Sequence, residues 1–534
     1  MIRSNLTGLA LGATVRFRPM ANVTLLWDAA QIGAIGDLPQ LMPRLKNPNY
    51  TMIIQDAIQV AAINGHDQTL YRLFELSGFE IDCIYPTYTS TLLGVAAWHG
   101  NITTIELLLR MKACINGGPI SEQSPLSKSV INNQNETTQM LIAAKANINA
   151  TKHNNFAAIH FAARFNRRKQ LKLLIDAKSA INIQTSSGST PFAIASLYNC
   201  CTIMNMLLDA KANINLVTNN GHTPLFITAT RTNVEALILL CNMKANVNTA
   251  TNRGITPLYT ACEFNHLNVI KILLSVKANP DVAAQNGIKP IHIAAINDNR
   301  NAIALLIQAK VSVDTPINPI NCTPMHLVAQ YGCINTLIYL IRVKANINTT
   351  TVGGATPIFT AAKYNRYNIL DILIQSKGDL NIATSTGISP LCIAIQQTHY
   401  DIVHKLIDMK ANVNKATTHE RCAPIHIASF HNNIDVLKLL LGENADPNVT
   451  LISGHMPIHY AVVNDNVSIL TLLLQAKAIS IPTTCEITIL GHTFPINSTP
   501  LSIAKQLNNK LIMTLLTTRN SFNQDNPPPQ KRKK

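Results

Sequence analysis

Five histidines, His160, His292, His326, His426 and His459, are of the residue type that could ligate a metal or act as general bases. Their separations are 132, 34, 100 and 33 residues, and each stands two residues after a Pro or, in one case, after Ala158. Residues held at one phase of a long repeat lie in different repeats, so these imidazoles cannot converge on one ion. His455 and His459 have the i,i+4 spacing of a helical metal pair, but Pro457 between them breaks the shared face. Eleven cysteines are scattered singly apart from Cys200-Cys201, with no C-x-x-C pair. An odd, unpatterned set argues for reduced thiols in a cytosol-like compartment and against a disulfide or zinc framework. No phosphate-cradling loop, nucleophile elbow or kinase signature occurs. The residues therefore predict no catalytic site, no metal and no cofactor.

What fixes the histidines in phase is a repeat. Pro125, Pro191, Pro224, Pro257, Pro290, Pro324, Pro357, Pro390, Pro424, Pro457 and Pro500 recur at 33 or 34 residues, with a double step over Ala158 and a long final step. Such a period means a stack of one supersecondary unit. Within a unit, Thr-Pro opens a helix: Pro supplies a fixed φ where its missing N–H costs nothing, and the Thr hydroxyl caps. A turn residue follows, Gly332 once but Asn166, Asn199, Asn265, Asn365 and Asn432 elsewhere, and Asn is the non-Gly residue that best tolerates a left-handed backbone. A second helix carries a Leu/Ile stripe, as in Val269–Leu274. A polar segment then ends in Gly two residues before the next opening (Gly188, Gly221, Gly254, Gly287, Gly354, Gly387, Gly454), which suits a hairpin-like turn.

In Gly221-His-Thr-Pro-Leu225 and Thr323-Pro-Met-His-Leu327 the chain resembles the ankyrin-repeat proteins, whose pattern is Gly-x-Thr-Pro-Leu-His-x-Ala-Ala. Thr91–Ala97 fits without its Pro, and Thr24–Ala30 and Asp56–Ala62 are degenerate earlier copies. The resemblance implies an all-α ankyrin-repeat solenoid of about fifteen helix-turn-helix units with short β-hairpin-like fingers. It divides the 534 residues into an N-terminal extension (1–22, read as disordered), a continuous array (23–520) and a Pro-rich basic tail (521–534). Degenerate capping units occupy 23–90, and an extended finger 479–498. In the family the Thr-Pro-x-His imidazole serves a structural hydrogen-bond network. Low charge, Asn/Ile/Lys bias and the Lys-Ala-Asn-Ile-Asn phrase also resemble the ankyrin-repeat effectors of intracellular bacterial pathogens. That implies host-derived protein partners, a monomer, and a place in the host cytoplasm after export.

The net charge of +16 is unevenly placed. Lys112, Lys145, Lys178, Lys211, Lys244, Lys277, Lys310, Lys344, Lys377, Lys410 and Lys477 stand where the family has a helix-ending Gly; without them and the four C-terminal cations the net charge would be +1. A cation is favoured at a helix C-terminus, and the row costs little in water. Codon bias toward Lys and Asn is a further explanation. The alternative function is a charge-driven adaptor, with Lys145 to Lys410 as a row for nucleic acid or anionic membrane. Aromatic interleaving expected for single strands is absent from these loops.

A second row is aromatic. Phe165, Tyr198, Phe264, Tyr331 and Tyr364 lie eight residues after the Thr position, with His99 and His431 at the same place. Aromatic anchors dominate interface energetics, and in the family this position borders the concave partner surface, so these five are the expected protein-binding residues. Fingers carry insertions of one residue before Thr323 and before Ala423, and of about ten in 484–496, all expected to project from the stack. The long one alternates like a hairpin around Leu490-Gly491. Lys531, Arg532, Lys533 and Lys534 resemble a short nuclear-localisation signal, which would add the nucleus as a destination. Leu6–Val15 superficially resembles a signal h-region but is broken by Thr7, Gly8 and Gly12; Met20 offers a second start. No apolar run is long enough to span a bilayer.

Overall fold

The computed structural model describes residues 21–36, 38, 51–84, 90–118 and 123–524. The start of the leader and the cations Lys531–Lys534 lie outside the described residues. Two compact units divide the chain, one ending at Asn252 and one beginning at Arg253. The first holds a helix at Ala21–Ile32 and, among the described residues, six helix pairs from Thr51–Asn64 to Val234–Asn242. The second holds eight pairs, from Pro257–Glu263 to Lys510–Gln524.

Each pair opens as the sequence requires. Where the residue before the helix is Thr or Ser, its hydroxyl generally accepts from the backbone N–H three residues on, as at Thr190 (3.1 Å), Thr223 (3.1 Å) and Ser389 (3.2 Å), Thr323 being an exception. Short first helices pack on those of the next repeat, burying Ala and Leu almost completely. The second helices bury a narrow stripe: Val269, Ile270 and Leu273 in Leu267–Ser275, or Ile402, Val403 and Leu406 in Tyr400–Asp408. A helix of nine residues is too short to persist alone, so its stability comes from neighbouring repeats.

Fingers are stitched to one another by backbone. The Ser385 N–H donates to the Gly353 carbonyl (2.9 Å) and the Thr418 N–H to the Thr386 carbonyl (3.0 Å). This approach explains the finger glycines: Gly387 has φ +83°, and a Cβ there would lie 2.5 Å from the Thr418 nitrogen. The single-residue insertions act where expected. A regular finger closes from Thr185 N–H to the Ser189 carbonyl, whereas Ile317 reaches Cys322 (2.8 Å) and Thr417 reaches Cys422 (3.0 Å), one residue further.

The long finger forms the expected hairpin, β1 (Ile487–Ile489) against β2 (His492–Phe494), antiparallel, turning at Leu490 (φ 49°) and Gly491 (φ 80°). It does not merely project. Ile487, Ile489 and Phe494 share one face and are buried, because an apolar alternation over this many residues gains more by packing down than by standing in water.

The Lys-Ala-Asn-Ile-Asn phrase has a structural role that its composition alone does not reveal. Its second Asn accepts from the backbone of the same phrase one repeat later: Asn215 Oδ1 from Asn246 N–H (3.2 Å), Asn381 Oδ1 from Asn412 N–H (2.7 Å). Its first Asn turns the chain by accepting two residues on, as Asn412 does from Asn414 N–H (2.9 Å). Asparagine thus runs as a ladder along the repeats within each unit.

Candidate functional site

The histidine phase is a capping device. The Nδ1 of His160, His292, His426 and His459 accepts from the backbone N–H at the helix opening, at 3.0, 3.1, 3.1 and 3.0 Å. There the opening residues are Ala157, Lys289, Ala423 and Met456, none of which caps with its side chain. An imidazole replaces the missing hydroxyl cap. The Nε2–H of His160 and His292 donates across to the Ile183 and Thr315 carbonyls (3.0 and 2.8 Å). His326 makes both bonds although Thr323 precedes it. Burial holds the first four imidazoles at about 4, well below the ordinary 6.5, and lowers His326 too. They are neutral and structural at physiological pH. Among the described residues no three His, Cys, Asp or Glu side chains are grouped to hold a metal ion.

The cysteines are all free thiols. Burial pushes Cys422 up to about 12 and Cys322 to about 11, and raises Cys262 and Cys392 as well. A thiol so shifted carries almost no thiolate at neutral pH and is a poor nucleophile.

The lysines of the row, from Lys112 to Lys477, all have positive φ, between 57° and 69°. Each closes a helix: Lys211 N–H donates to the Leu208 carbonyl (2.9 Å) and Ala212 N–H to the Leu207 carbonyl (2.9 Å), the bonding of a left-handed helix stop. Their ammonium groups are exposed, and Lys410 pairs with Glu443 (2.7 Å).

The aromatic row occupies the C-terminal end of the first helix. In the first unit Phe165 and Tyr198 are 39% and 46% exposed, and in the second Phe264, Tyr331 and Tyr364 are 54%, 49% and 41%. Each thus offers roughly half a ring to solvent. His99 and His431 at the same phase are exposed too.

Two features escape a reading by repeat phase. Arg164, Arg167, Arg168, Lys169 and Lys172 crowd one helix junction, and Arg164 lies over Phe165 (5.4 Å to the ring centroid) and Tyr198 (5.7 Å). The run is plain in the sequence, but a net remainder of +1 conceals it. In the second unit a cavity of about 420 Å³ opens beside the lengthened finger, between Ile388, Cys392, Cys422, Phe430 and Tyr460. Phe430 meets the Tyr460 ring edge-on at 5.6 Å. No motif marks it, because its walls come from three repeats.

Among the described residues no helix is long and apolar enough to cross a membrane. No curated protein matches the chain. The family model for ankyrin repeats (three copies) matches residues 126–218, 193–285, 276–351, 343–417 and 425–526, well over half of the sequence. Together with the stacked helix pairs, this match shows that the chain belongs to the ankyrin-repeat family.

Proposed function

We propose that this protein is an effector that binds host proteins through the aromatic row. By its family the chain is a non-enzymatic ankyrin-repeat scaffold for protein–protein interaction. The aromatic-row reading is supported by a set of half-exposed rings at a single phase of a stacked scaffold, Phe264, Tyr331 and Tyr364 in the second unit and Phe165 and Tyr198 in the first. Rings held by packed helices lose little entropy on binding and bury large area, which is how a few anchors come to dominate an interface. The Lys-Ala-Asn-Ile-Asn phrasing supports an effector. Eleven unpaired thiols support a reducing, host-cytoplasmic location, and the terminal Lys531–Lys534 segment supports nuclear entry as a second destination. The positive φ of the lysine row supports a structural origin for those cations over an anionic-ligand role.

Partners captured from host lysate by the full chain are to be compared with those of Phe264→Ala/Tyr331→Ala. Loss of two anchors should weaken the captured interaction at least roughly tenfold, while the melting transition moves little. Wild-type affinity in the double variant would refute the aromatic row and direct attention to the finger at 484–496.

A further inference from the structure

We infer that the basic junction at 164–172 in the first unit is a docking site for a short acidic segment of a partner protein, with Arg164 as its clamp. The inference rests on the reading of the chain as a protein-binding scaffold and names the chemistry of one partner.

Three observations converge. The first is a charge placement that the fold does not want. Arg168 and Lys169 are the first two residues of the helix Arg168–Asp176, where the positive end of the helix dipole disfavours cations. Other repeats carry acids in this turn: Glu136, Glu235, Asp401 and Asp435. Among the described residues Arg164, Arg168 and Lys169 take part in no ion pair, while Lys172 pairs with Asp176 (3.0 Å). An acidic ligand would supply what the helix lacks.

The second observation is preorganisation. Arg164 is exposed and lies near two rings of successive repeats, 5.4 Å from the Phe165 centroid and 5.7 Å from that of Tyr198. Cation–π attraction to two rings favours keeping the guanidinium at this place, and its N–H groups can grip a carboxylate with two parallel bonds. Arg167 is anchored from the other side, donating to the Ile131 carbonyl (2.8 Å) and lying 6.0 Å from the Phe165 centroid.

The third is extent. At the same phase the preceding repeat, residues 131–139, and the following one, residues 197–205, carry no Lys or Arg. At this helix junction the cations therefore stop within about one repeat spacing, roughly 10 Å. A nucleic-acid strand needs cations that follow its backbone over several nucleotides. A few carboxylates beside one apolar side chain fit the junction and its half-exposed rings.

Fluorescence anisotropy with the full chain tests this, the probe being a labelled peptide of Asp and Glu residues about a single Phe, and a labelled oligouridylate of equal charge as the second arm. The peptide should bind more tightly than the oligouridylate and lose affinity as salt rises. Arg164→Ala with Arg168→Ala should weaken it about tenfold. Arg164→Lys, which keeps the charge but not the fork, should weaken it about threefold. Circular dichroism should show unchanged helix content in these exposed-site variants. Phe264→Ala/Tyr331→Ala in the other unit should leave peptide binding unaltered. Absent peptide binding, variants equal to wild type, or tighter oligouridylate binding would each overturn the inference. Should the peptide arm fail while lysate partners remain dependent on Phe264 and Tyr331, only this inference falls. The converse result would sink the aromatic-row reading and leave this one standing.

Discussion

Acid should loosen this protein well before its carboxylates titrate, and the capping histidines set the scale. His160, His292, His426 and His459 are held at about 4 by burial, against 6.5 in an open chain. A second proton would have to enter at Nδ1, which already faces a backbone N–H at 3.0–3.1 Å. Between pH 6.5 and 4 the unfolded chain therefore binds the proton and the folded one does not, so stability is complete above pH 6.5 and falls as pH drops. Each such histidine costs its repeat about 2 kcal/mol between pH 7 and pH 5. His160 alone lies in the first unit; His292, His426 and His459 lie in the second, where His326 and His455 are lowered in the same sense.

Repeat arrays open locally, so a single melting point is a poor reporter. Hydrogen exchange read peptide by peptide, corrected for intrinsic rate, resolves the repeats. From pH 7 to pH 5, protection around Pro290–Ile296, Pro424–Phe430 and Pro457–Val463 should drop about thirtyfold. The stretch around Pro191–Leu197, capped by Thr190, should change little. Ala423→Thr with His426→Ala rebuilds the cap that Thr190 and Ala193 make, at some cost in packing, and should flatten the pH response of that repeat alone. Equal pH dependence in hydroxyl-capped and imidazole-capped repeats would refute the reasoning, as would a double variant that keeps the original slope.

Three further outcomes follow from the geometry. Gly387→Ala should destabilise by about 2 kcal/mol or more, since φ is +83° and the new Cβ meets backbone at 2.5 Å; urea unfolding of the full chain measures it. Lys211, Lys244 and Lys277 changed to Gly should hold or raise the melting temperature, because relief of a left-handed backbone, on the order of 1 kcal/mol each, offsets the lost helix-end cation. A fall of several degrees would mean that the ammonium groups themselves stabilise the stack. Leu273→Asp places an unpaired carboxylate where the side chain has no exposure, and should open the following repeat as well as its own, seen as lost exchange protection from 257 to 308.

The helix pairs were legible because their punctuation recurs: Pro at the opening, Asn or Gly at the turn, Gly in the finger. What stayed hidden depends on a neighbour one repeat away. Asn381 reads as composition until Asn412 N–H is seen 2.7 Å from it. Gly387 reads as a turn residue, and only the approach of Thr418 shows that no side chain would fit. The alternation of 487–494 foretold a hairpin but not that Phe494 would be fully buried, since period two marks a face without saying what covers it. The exchange of Thr for His at the helix opening was in the letters all along, as Ala157, Lys289, Ala423 and Met456 beside their histidines. It gains meaning only when Nδ1 is found doing the hydroxyl's work. The basic run at 164–172 was lost to arithmetic, because an even net remainder averages a cluster away.

The case for the aromatic row turns on whether the fold itself asks for a ring there. Comparison of repeats within the chain answers it. The position eight residues after the helix opening is Phe264 in one repeat, Asn297 in the next, then Tyr331, Tyr364 and Gln397. The backbone scarcely notices: φ is −95° at Phe264, −94° at Asn297, −101° at Tyr364 and −90° at Gln397. Asn297 uses its amide to donate to the Glu263 carbonyl at 3.0 Å, a service that a phenyl ring cannot perform. A ring at this site thus gives up a bond that Asn makes, and leaves apolar surface half in water. The recurrent residues of the repeat have structural work inside the stack: Gly in the finger, Asn in the ladder, Thr or His at the opening. The rings of Phe264 and Tyr331 are 54% and 49% exposed, and half-uncovered apolar area of that kind is surface that a partner would gain by covering.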